Sequence, residues 1–287
     1  MQYKISNEYI KIEVIDFGAE LCSLQKKNED LEYIWQGDKR YWNRHAPILF
    51  PIVGKLLDDE YSYKNKIYSM TQHGFARDSL FELFSLENDS ICLKLESSES
   101  TMKIYPFEFA LYVTYTLVQS SVNISYKVVN KSDENIYFSI GSHPAFNWPL
   151  TYENKNEYYM EFQKTEFLER LPLTLTGISK QKKILNLDNN KLYLTEKLFE
   201  EDAIVIQNLE NKIITFKNTQ DKKFIELTFD GFYLGIWSKP TGAPFVCIEP
   251  WHGLADFTTH NKKIEEKIGM INLKKNKTFK TYYKISV

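Results

Sequence analysis

The stretch Phe109-Ala-Leu-Tyr-Val-Thr-Tyr-Thr-Leu-Val118 is rich in β-branched and aromatic residues, and the run Val122-Asn-Ile-Ser-Tyr-Lys-Val128 follows it closely. In the second run apolar and polar residues alternate, which is typical of a half-buried antiparallel strand. The polar residues Gln119-Ser-Ser121 between the two stretches predict a short turn. We therefore predict two antiparallel strands joined by this turn.

Runs of the same character recur along the whole chain. They occupy residues 10–15, 91–95, 136–140, 204–206, 213–216, 224–229, 234–237, 245–248 and 282–287. Helical patterns are sparse, and the two that we interpret as short helices lie at residues 195–201 and 261–268. Many short strands with few helices predict an all-β fold, a large antiparallel β-sandwich. The sequence contains no internal repeat or linker-like tract, so we predict one domain over residues 1–287.

Charge and composition exclude several classes of partner. The 287 residues include 36 Lys and Arg against 38 Asp and Glu, and the net charge of −2 predicts no nucleic-acid or anionic-membrane partner. No apolar run approaches the roughly 20 residues that span a bilayer, and no apolar signal segment opens the chain, so we expect a cytoplasmic protein. Cys22, Cys92 and Cys247 lie far apart inside apolar runs, which predicts free buried thiols.

The most informative histidine lies in the segment Gly141-Ser-His143-Pro-Ala-Phe-Asn-Trp148. An apolar, strand-like run ends at Gly141, and Pro144 fixes the backbone just beyond the histidine. Because an ordinary imidazole titrates near pH 6.5, His143 is a candidate proton donor or acceptor. The alternative is a structural histidine that caps the end of a strand.

Two further segments suggest related chemistry. Glu249 follows the apolar run 244–248, and a carboxyl group there is costly unless it is paired or functional. Partial burial raises a carboxyl pKa and makes the carboxylate a stronger base, although a buried salt bridge with Arg77 or Arg44 is the alternative. His73 precedes Gly74, which suggests a close backbone approach or an unusual turn. From the residues alone, His73 is either a site residue or a member of a polar network.

Other catalytic and metal-binding patterns are missing from the sequence. There is no GxSxG motif, P-loop or dinucleotide-binding glycine fingerprint. Neither CxxC nor HExxH occurs, and the histidine spacing does not match a zinc site, so we expect no metal. His252 is expected to orient Glu249 or a ligand from a distance, His45 is expected to pack, and His260 to lie on an exposed loop.

These segments, in this order, resemble the aldose 1-epimerase (galactose mutarotase-like) family. The matching segments are Ile10–Val14, Phe17–Leu21, Pro47–Pro51 with Gly54, His73–Arg77, Gly141–Asn147 and Ile248–Trp251. The resemblance covers essentially the whole chain. It implies a large antiparallel β-sandwich with its active site in a cleft on one curved sheet. It also implies a cofactor-free reaction on a small-molecule sugar, whereas neither it nor the composition distinguishes a monomer from a homodimer.

The resemblance also implies roles for individual residues. His143 is then the general acid and Glu249 the general base that interconvert the α and β anomers of a hexose. His73 matches a family histidine that binds near the ring oxygen, and Asp202 matches an aspartate that binds sugar hydroxyls, with Glu200 and Glu201 as competing positions. Substrate binding is further expected from Arg77, Arg44 and Trp251, and stacking on the sugar from Trp251, Phe75 or Phe146.

Two other functions remain open at this stage. The first is the same reaction on a hexose 6-phosphate, for which Arg44, Lys55 and Arg77 are candidate phosphate ligands. The second is a carbohydrate-binding or regulatory protein that keeps the fold without turnover. A glycoside hydrolase is disfavoured, because it requires two suitably spaced carboxyl groups and Glu249 is the one strong candidate.

Overall fold

A large antiparallel β-sandwich, as predicted, is found in the computed structural model, which describes residues 1–151 and 153–287. The larger of its two principal sheets has nine strands within the described residues. In spatial order these strands are β19 (Lys191–Tyr193), β14 (Tyr158–Phe162), β21 (Ile213–Asn218), β22 (Phe224–Phe229), β26 (Thr278–Ser286), β10 (Ser121–Asn130), β9 (Phe109–Val118), β8 (Ser90–Glu96) and β7 (Glu82–Leu86).

The second principal sheet carries the candidate site. Its strands in spatial order are β18 (Lys183–Asn186), β15 (Phe167–Leu171), β20 (Ile204–Gln207), β23 (Tyr233–Trp237), β24 (Phe245–His252), β12 (Ile140–Ser142) and β4 (Ile48–Leu49), and β13 (Ala145–Asn147) pairs separately with β24. Neighbouring strands in this sheet pair antiparallel.

Smaller elements surround the two principal sheets. The remaining strands are β1 (Gln2–Ser6), β2 (Ile10–Ile15) and β3 (Glu20–Lys26) in one sheet, and the pairs β5 (Glu60–Tyr63) with β6 (Lys66–Ser69), β11 (Ile136–Phe138) with β25 (Ile271–Leu273), and β16 (Leu173–Thr174) with β17 (Gly177–Ile178). The helical elements are α1 (Glu99–Ile104) and the 3-10 turns Leu57–Asp59, Ala76–Asp78, Lys155–Glu157, Glu196–Phe199 and Ile264–Glu266. Within the described chain, no helix has the length and hydropathy needed to cross a membrane.

The main hydrophobic core lies between the two principal sheets. It combines side chains of β9 and β10, such as Val113 and Ile124, with Ile204 and Ile248 from the site-bearing sheet. Alternate residues of that sheet point the other way, so Val205 belongs to a separate apolar cluster on its outer face. Both faces of the site-bearing sheet therefore carry buried apolar side chains, and polar groups that lie among them on the outer face are partly shielded from water.

The predicted strands and helices differ in how well they match the structure. The first two stretches form β9 and β10, joined by a turn at residues 119–120 as expected. The predicted helices at 195–201 and 261–268 were wrong, since each contains only a 3-10 turn. The helix α1 was missed, although Ser98 and Thr101 form a capping box at its start.

Strand β24 lies at the centre of the site-bearing sheet, and all eight of its residues are buried. On one side, Ile140 and Gly141 of β12 lie opposite His252 and Trp251. Further along, Ala145 of β13 lies opposite Cys247 in the same register. The chain between β12 and β13 thus continues alongside β24 without an insertion or a deletion. The ladder is interrupted there because Pro144 has no N–H to donate.

Two glycines make room on this sheet for the indole of Trp251. Gly235 lies on β23 and Gly141 on β12, one on each side of β24. A Cβ atom on Gly235 would lie 2.5 Å from Trp251 Cζ2, and one on Gly141 would lie 2.6 Å from Trp251 Cδ1. No Cβ atom fits at either distance, so the Trp251 indole leaves room only for glycine at positions 141 and 235.

We predict that Gly235→Ala destabilises the protein by about 1–3 kcal/mol, the usual cost of overpacking a rigid core. Urea unfolding gives this free energy directly. Trp251→Leu removes the ring that the new methyl group would strike, so the Gly235→Ala/Trp251→Leu double variant should lose less stability than the sum of the two single variants. Strictly additive losses would show that the indole is not what excludes alanine at position 235.

Candidate active site

A cleft of about 1280 Å³ opens on the outer face of the site-bearing sheet. Its floor contains side chains from β23, β24 and the segment after β12. Its walls include the hairpin β16–β17 and residues 200–203. The predicted site residues that line the cleft are His73, Arg77, His143, Asp202, Glu249 and Trp251.

His143 and Glu249 form the centre of the cleft. The register of β12 and β13 against β24 places His143 directly opposite Glu249. The backbone N–H of His143 donates to Pro47 on the other side, which holds the residue in the sheet. His143 Nε2 lies 3.2 Å from Glu249 Oε2, although the two atoms are not aligned for a hydrogen bond. An acidic and a basic group are thus adjacent at the floor of the cleft.

Two tryptophans enclose the imidazole of His143. The Trp42 ring is tilted by 31° across it, with the ring centroids 4.9 Å apart. The Trp237 ring meets it edge-on, with the centroids 5.8 Å apart. The pKa of His143 is lowered to about 3, chiefly by burial, and the positive charges of Arg77 and Arg44 contribute to the decrease. The imidazole of the unliganded protein is therefore neutral near pH 7.

Glu249 is more deeply buried than the sequence suggested. It lies inside β24 rather than at the end of a strand, and only 1% of its surface is exposed. Burial raises its pKa well above the ordinary value, and the negative charge of Asp202 raises it further. The Trp251 indole N–H partly offsets this rise in pKa, although it does not have the geometry of a hydrogen bond to the carboxyl group. Because the pKa of His143 is lowered and that of Glu249 is raised, the pair holds one proton near neutral pH.

His73 is held as a neutral hydrogen-bond donor. Its backbone is left-handed, with φ of 69°, and a Cβ on the following Gly74 would lie 2.3 Å from Phe50 O, which confirms the predicted close approach. The Gly54 N–H donates to His73 Nδ1 over 3.1 Å, so the ring proton is on Nε2, which lies 3.2 Å from the side-chain amide of Gln72. Burial lowers the pKa of His73 well below its ordinary value, and electrostatic interaction with the titrating His143 and with the Arg77 guanidinium lowers it further.

The basic residues occupy different positions around the cleft. Arg77 lines the cleft, donates to Gln72 O over 2.7 Å, and has a buried Nε with no hydrogen-bond partner in the described chain. Lys55 also lines the cleft, with half of its side chain exposed. The Arg44 guanidinium is instead paired with Asp78 at 2.7 Å and is not among the lining residues. Arg77 and Lys55 line the cleft although each also has a carboxylate nearby, with Asp78 3.6 Å from Arg77 Nε and Asp59 3.9 Å from Lys55 Nζ.

Asp202 is distinguished from its acidic neighbours by its surroundings. Glu201 is paired with Lys183 at 2.8 Å and lies 3.6 Å from Arg170. Asp202 is exposed at the cleft, and its carboxylate accepts the N–H of Ala203 over 2.8 Å. Its negative charge acts on Glu249, as the pKa of that residue shows. Glu200 and Glu201 line the same cleft, and of the three acids Asp202 is the one whose charge raises the pKa of Glu249.

Several residues near the predicted site face away from it. Phe146 is fully buried in the main core, and Phe75 packs against the same core. The Trp148 indole donates to Lys155 O over 3.0 Å and is also buried. His252 points to the opposite face of β24, where Nε2 lies 2.7 Å from Thr281 Oγ1. The expected roles of Phe75 and Phe146 in stacking were wrong. Alternation along β13 directs Phe146 into the core, and Phe75, which lies outside the strands, packs against the same core.

The aromatic residues that do line the cleft, within the described chain, are Trp42, Trp237 and Trp251. Sequence reasoning missed Trp42 and Trp237. Trp42 lies outside the named strands and helices, in a segment with no periodic pattern. Trp237 ends β23 and reads as a core residue in an apolar run. In a chain with 15% aromatic residues, no local signal separates these two from core aromatics.

The chain is similar to several known proteins. Residues 1–269 match the family model described as aldose 1-epimerase. Protein LacX, encoded on a plasmid of Lactococcus lactis subsp. lactis, is 32% identical over 299 residues, which cover 100% of this chain and 99% of LacX.

Solved structures show the same relationship. A galactose mutarotase related enzyme from Lactobacillus acidophilus has a TM-score of 0.95 and 36% identity, covering 100% of this chain and 97% of that one. A galactose mutarotase-like protein from Lactobacillus casei has a TM-score of 0.91 and 31% identity, covering 100% and 99%. The fold and the family are thus shared over the full described length.

We predict that Glu249→Gln stabilises the protein at pH 7 by roughly 1–3 kcal/mol, because glutamine avoids the cost of keeping a proton on the buried carboxyl group at that pH. In the unfolded chain the carboxyl group ionises above about pH 4.3, whereas the folded protein retains the proton. Wild-type stability therefore falls as the pH rises above this value. Glutamine does not titrate, so the stabilisation by Glu249→Gln should disappear at about pH 4, where the carboxyl group of the unfolded chain is largely protonated as well. Thermal unfolding at the two pH values measures it.

The matched control is Glu20→Gln. Glu20 is also buried, but its carboxylate accepts the backbone N–H groups of His45 and Ala46. Removing that charge should lower stability at pH 7, because charge-assisted hydrogen bonds are weakened. If Glu249→Gln lowers the stability at pH 7 as Glu20→Gln does, then the Glu249 carboxyl has partners that the described contacts do not include.

Proposed function

The chain belongs to the aldose 1-epimerase family, and we propose that it interconverts the α and β anomers of a hexose by opening and closing the sugar ring. Glu249 is the general base and His143 the general acid of this proposal. The observation that carries it is the 3.2 Å separation of His143 Nε2 and Glu249 Oε2 at the floor of one cleft. The catalysis assigned to these residues requires no cofactor.

The separation suits the chemistry of a cyclic hemiacetal. Ring opening removes the proton of the C1 hydroxyl and delivers a proton to the ring oxygen, and both oxygens are bonded to C1. An acid and a base that act on two oxygens of one carbon must lie side by side. A glycoside hydrolase instead holds two carboxyl groups about 5–9.5 Å apart on either side of the bond it cleaves.

The one proton that His143 and Glu249 hold between them is sufficient for every step of the reaction. In the unliganded pair the proton is on Glu249, so the reaction requires it to pass to His143 when the sugar binds. Ring opening then transfers the proton of His143 to the ring oxygen and the proton of the C1 hydroxyl to Glu249, which leaves His143 neutral and Glu249 protonated. The open-chain aldehyde then rotates about the C1–C2 bond. Closure on the other face of the aldehyde returns the proton from Glu249 to O1, and His143 takes its proton back from the ring oxygen. The pair gains and loses no proton overall, so neither solvent nor a third group needs to supply one.

Other cleft residues are assigned to binding. We assign His73 Nε2–H to the reacting ring oxygen, and this assignment is supported by the 5.7 Å distance between the ring centroids of His73 and His143. Asp202 is a carboxylate acceptor for sugar hydroxyls, and Arg77 supplies N–H donors. The indole of Trp251 offers an apolar surface beside Glu249, together with an N–H that has no partner in the described chain.

We predict that His143→Asn and Glu249→Gln each reduce the rate of mutarotation by about 10²–10⁴-fold, the usual contribution of a general acid or base. Each replacement retains hydrogen-bonding groups but cannot exchange a proton near neutral pH. Polarimetry of freshly dissolved α-D-galactose and α-D-glucose measures the rate. Circular dichroism establishes that each variant is folded.

The control for these variants is His252→Asn. His252 lies on the same strand as Glu249 but contacts Thr281 and Asp230 on the opposite face, so its replacement should leave the rate within about twofold. Wild-type rates in both His143→Asn and Glu249→Gln would exclude the proposal. If wild type accelerates neither sugar but accelerates α-D-glucose 6-phosphate, the substrate is phosphorylated, and Arg77→Gln should then raise KM more than it lowers kcat. Sugar binding without acceleration of any of the three would identify a binding protein.

A further inference from the structure

Three side chains with metal-binding atoms meet at the base of the cleft, where two of them line the cleft and the third is buried directly behind them. His143, Cys247 and Glu249 each contribute one such atom, all three residues are buried, and the three atoms lie within 4.8 Å of one another. We propose that this trio is a binding site for a borderline divalent cation such as Zn²⁺, which occupies the acid–base pair and inhibits the protein. The inhibition rests on the proposed function, whereas the binding does not.

The donor set indicates the class of cation. An imidazole nitrogen, a thiolate sulfur and a carboxylate oxygen are the three donor types that Zn²⁺ accepts. Mg²⁺ and Ca²⁺ prefer oxygen ligands, and a site that includes sulfur and nitrogen disfavours them. Three protein ligands and one position open to a cleft are also the arrangement of zinc sites that remain accessible to small molecules.

The spacing of the donors fits a tetrahedral ion. With Zn–N and Zn–O bonds of about 2.0–2.2 Å, the two ligand atoms lie roughly 3.3 Å apart. His143 Nε2 and Glu249 Oε2 are already 3.2 Å apart. A sulfur at about 2.3 Å from the ion would lie roughly 3.6 Å from the nitrogen, so Cys247 needs only a small side-chain movement from its present position.

Strand geometry explains why Cys247 faces the pair. Cys247 and Glu249 are two residues apart on β24 and therefore project from the same face. Across the ladder, Cys247 lies opposite Ala145, two residues beyond His143. The proposed acid–base reaction gives this thiol no role, and it is fully buried beside the pair.

A second, independent observation also indicates a ligand here. Glu249 Oε2 is buried and has no hydrogen-bond partner in the described chain. A buried carboxylate oxygen without a partner costs free energy that an ion bound at this position would recover. Binding replaces the S–H bond of Cys247 with a sulfur–metal bond and also displaces the one proton that His143 and Glu249 hold between them, so two protons pass to solvent through the cleft. No oxidant or reductant is involved.

The test uses the full chain without sugar. Titration with Co²⁺ should produce a thiolate-to-metal charge-transfer absorption that saturates at one equivalent, and Zn²⁺ should then displace the Co²⁺. Cys247→Ser should remove this absorption and weaken Zn²⁺ binding at least about 10-fold, as measured against a chromophoric chelator. Cys92→Ser is the matched control, since it removes another buried free thiol that lies on β8, in the other principal sheet, and should behave as wild type.

Two results would overturn the site: no charge-transfer band in wild type, or an unchanged band in Cys247→Ser. Adventitious binding to surface histidines gives no such band. Inhibition is measured separately by polarimetry, where stoichiometric Zn²⁺ should stop acceleration and EDTA should restore it. If the band is present and the protein accelerates no sugar, the metal site stands and the proposed function fails. If acceleration persists with Zn²⁺ bound, the inhibitory role is excluded.

Discussion

The alignment of β24 with the chain that passes from β12 to β13 is the constraint on which the candidate site depends. Pairing on both sides of the interruption follows one register, with Gly141 opposite Trp251 and Ala145 opposite Cys247. His143 must then lie opposite Glu249, whatever rotamers the two side chains adopt. A change of one residue in this register would turn either side chain to the opposite face of the sheet.

The surroundings of the pair determine how it holds its proton. Trp42, Trp237 and Trp251 exclude water, and Trp251 can lie flat against the sheet because Gly141 and Gly235 have no side chains. Burial penalises both charged forms, so the pKa of His143 falls while that of Glu249 rises. The same burial leaves a carboxylate oxygen unsatisfied, which is a cost in stability. Such costs are commonly found at functional sites.

The sequence predicted most of the fold because its strands alternate clearly. β9 and β10 have the predicted bounds to within a residue or two, since one face of each strand is buried and the other is not. The helices were less predictable. Residues 195–201 and 261–268 have suitable composition but no continuous apolar face, and tertiary contacts leave only a 3-10 turn in each. The capping box of α1 was a usable signal that periodicity alone overlooked.

The site was predictable in part, for a different reason. His143 and Glu249 were identified because a histidine and a carboxyl group are unusual at the ends of apolar runs. The resemblance to a family supplied their roles as general acid and general base. The sequence did not reveal that Trp42, Trp237 and Cys247 lie beside the pair, because their positions depend on which strands are neighbours in the sheet. Arg44, the weaker match to the family, was predicted beside Arg77, and Phe146 beside Trp251. The direction of each side chain in the structure separates the members of each pair.

The most direct test of the central claim is whether His143 and Glu249 act as one unit. The measurement is kcat/KM for the His143→Asn/Glu249→Gln double variant beside both single variants. If one proton is passed between two groups held by one register, then losing either group disables the unit. The double variant should therefore be no slower than the slower single variant, within about threefold. Losses that multiply in the double variant would contradict this account, because they would show two groups that contribute independently.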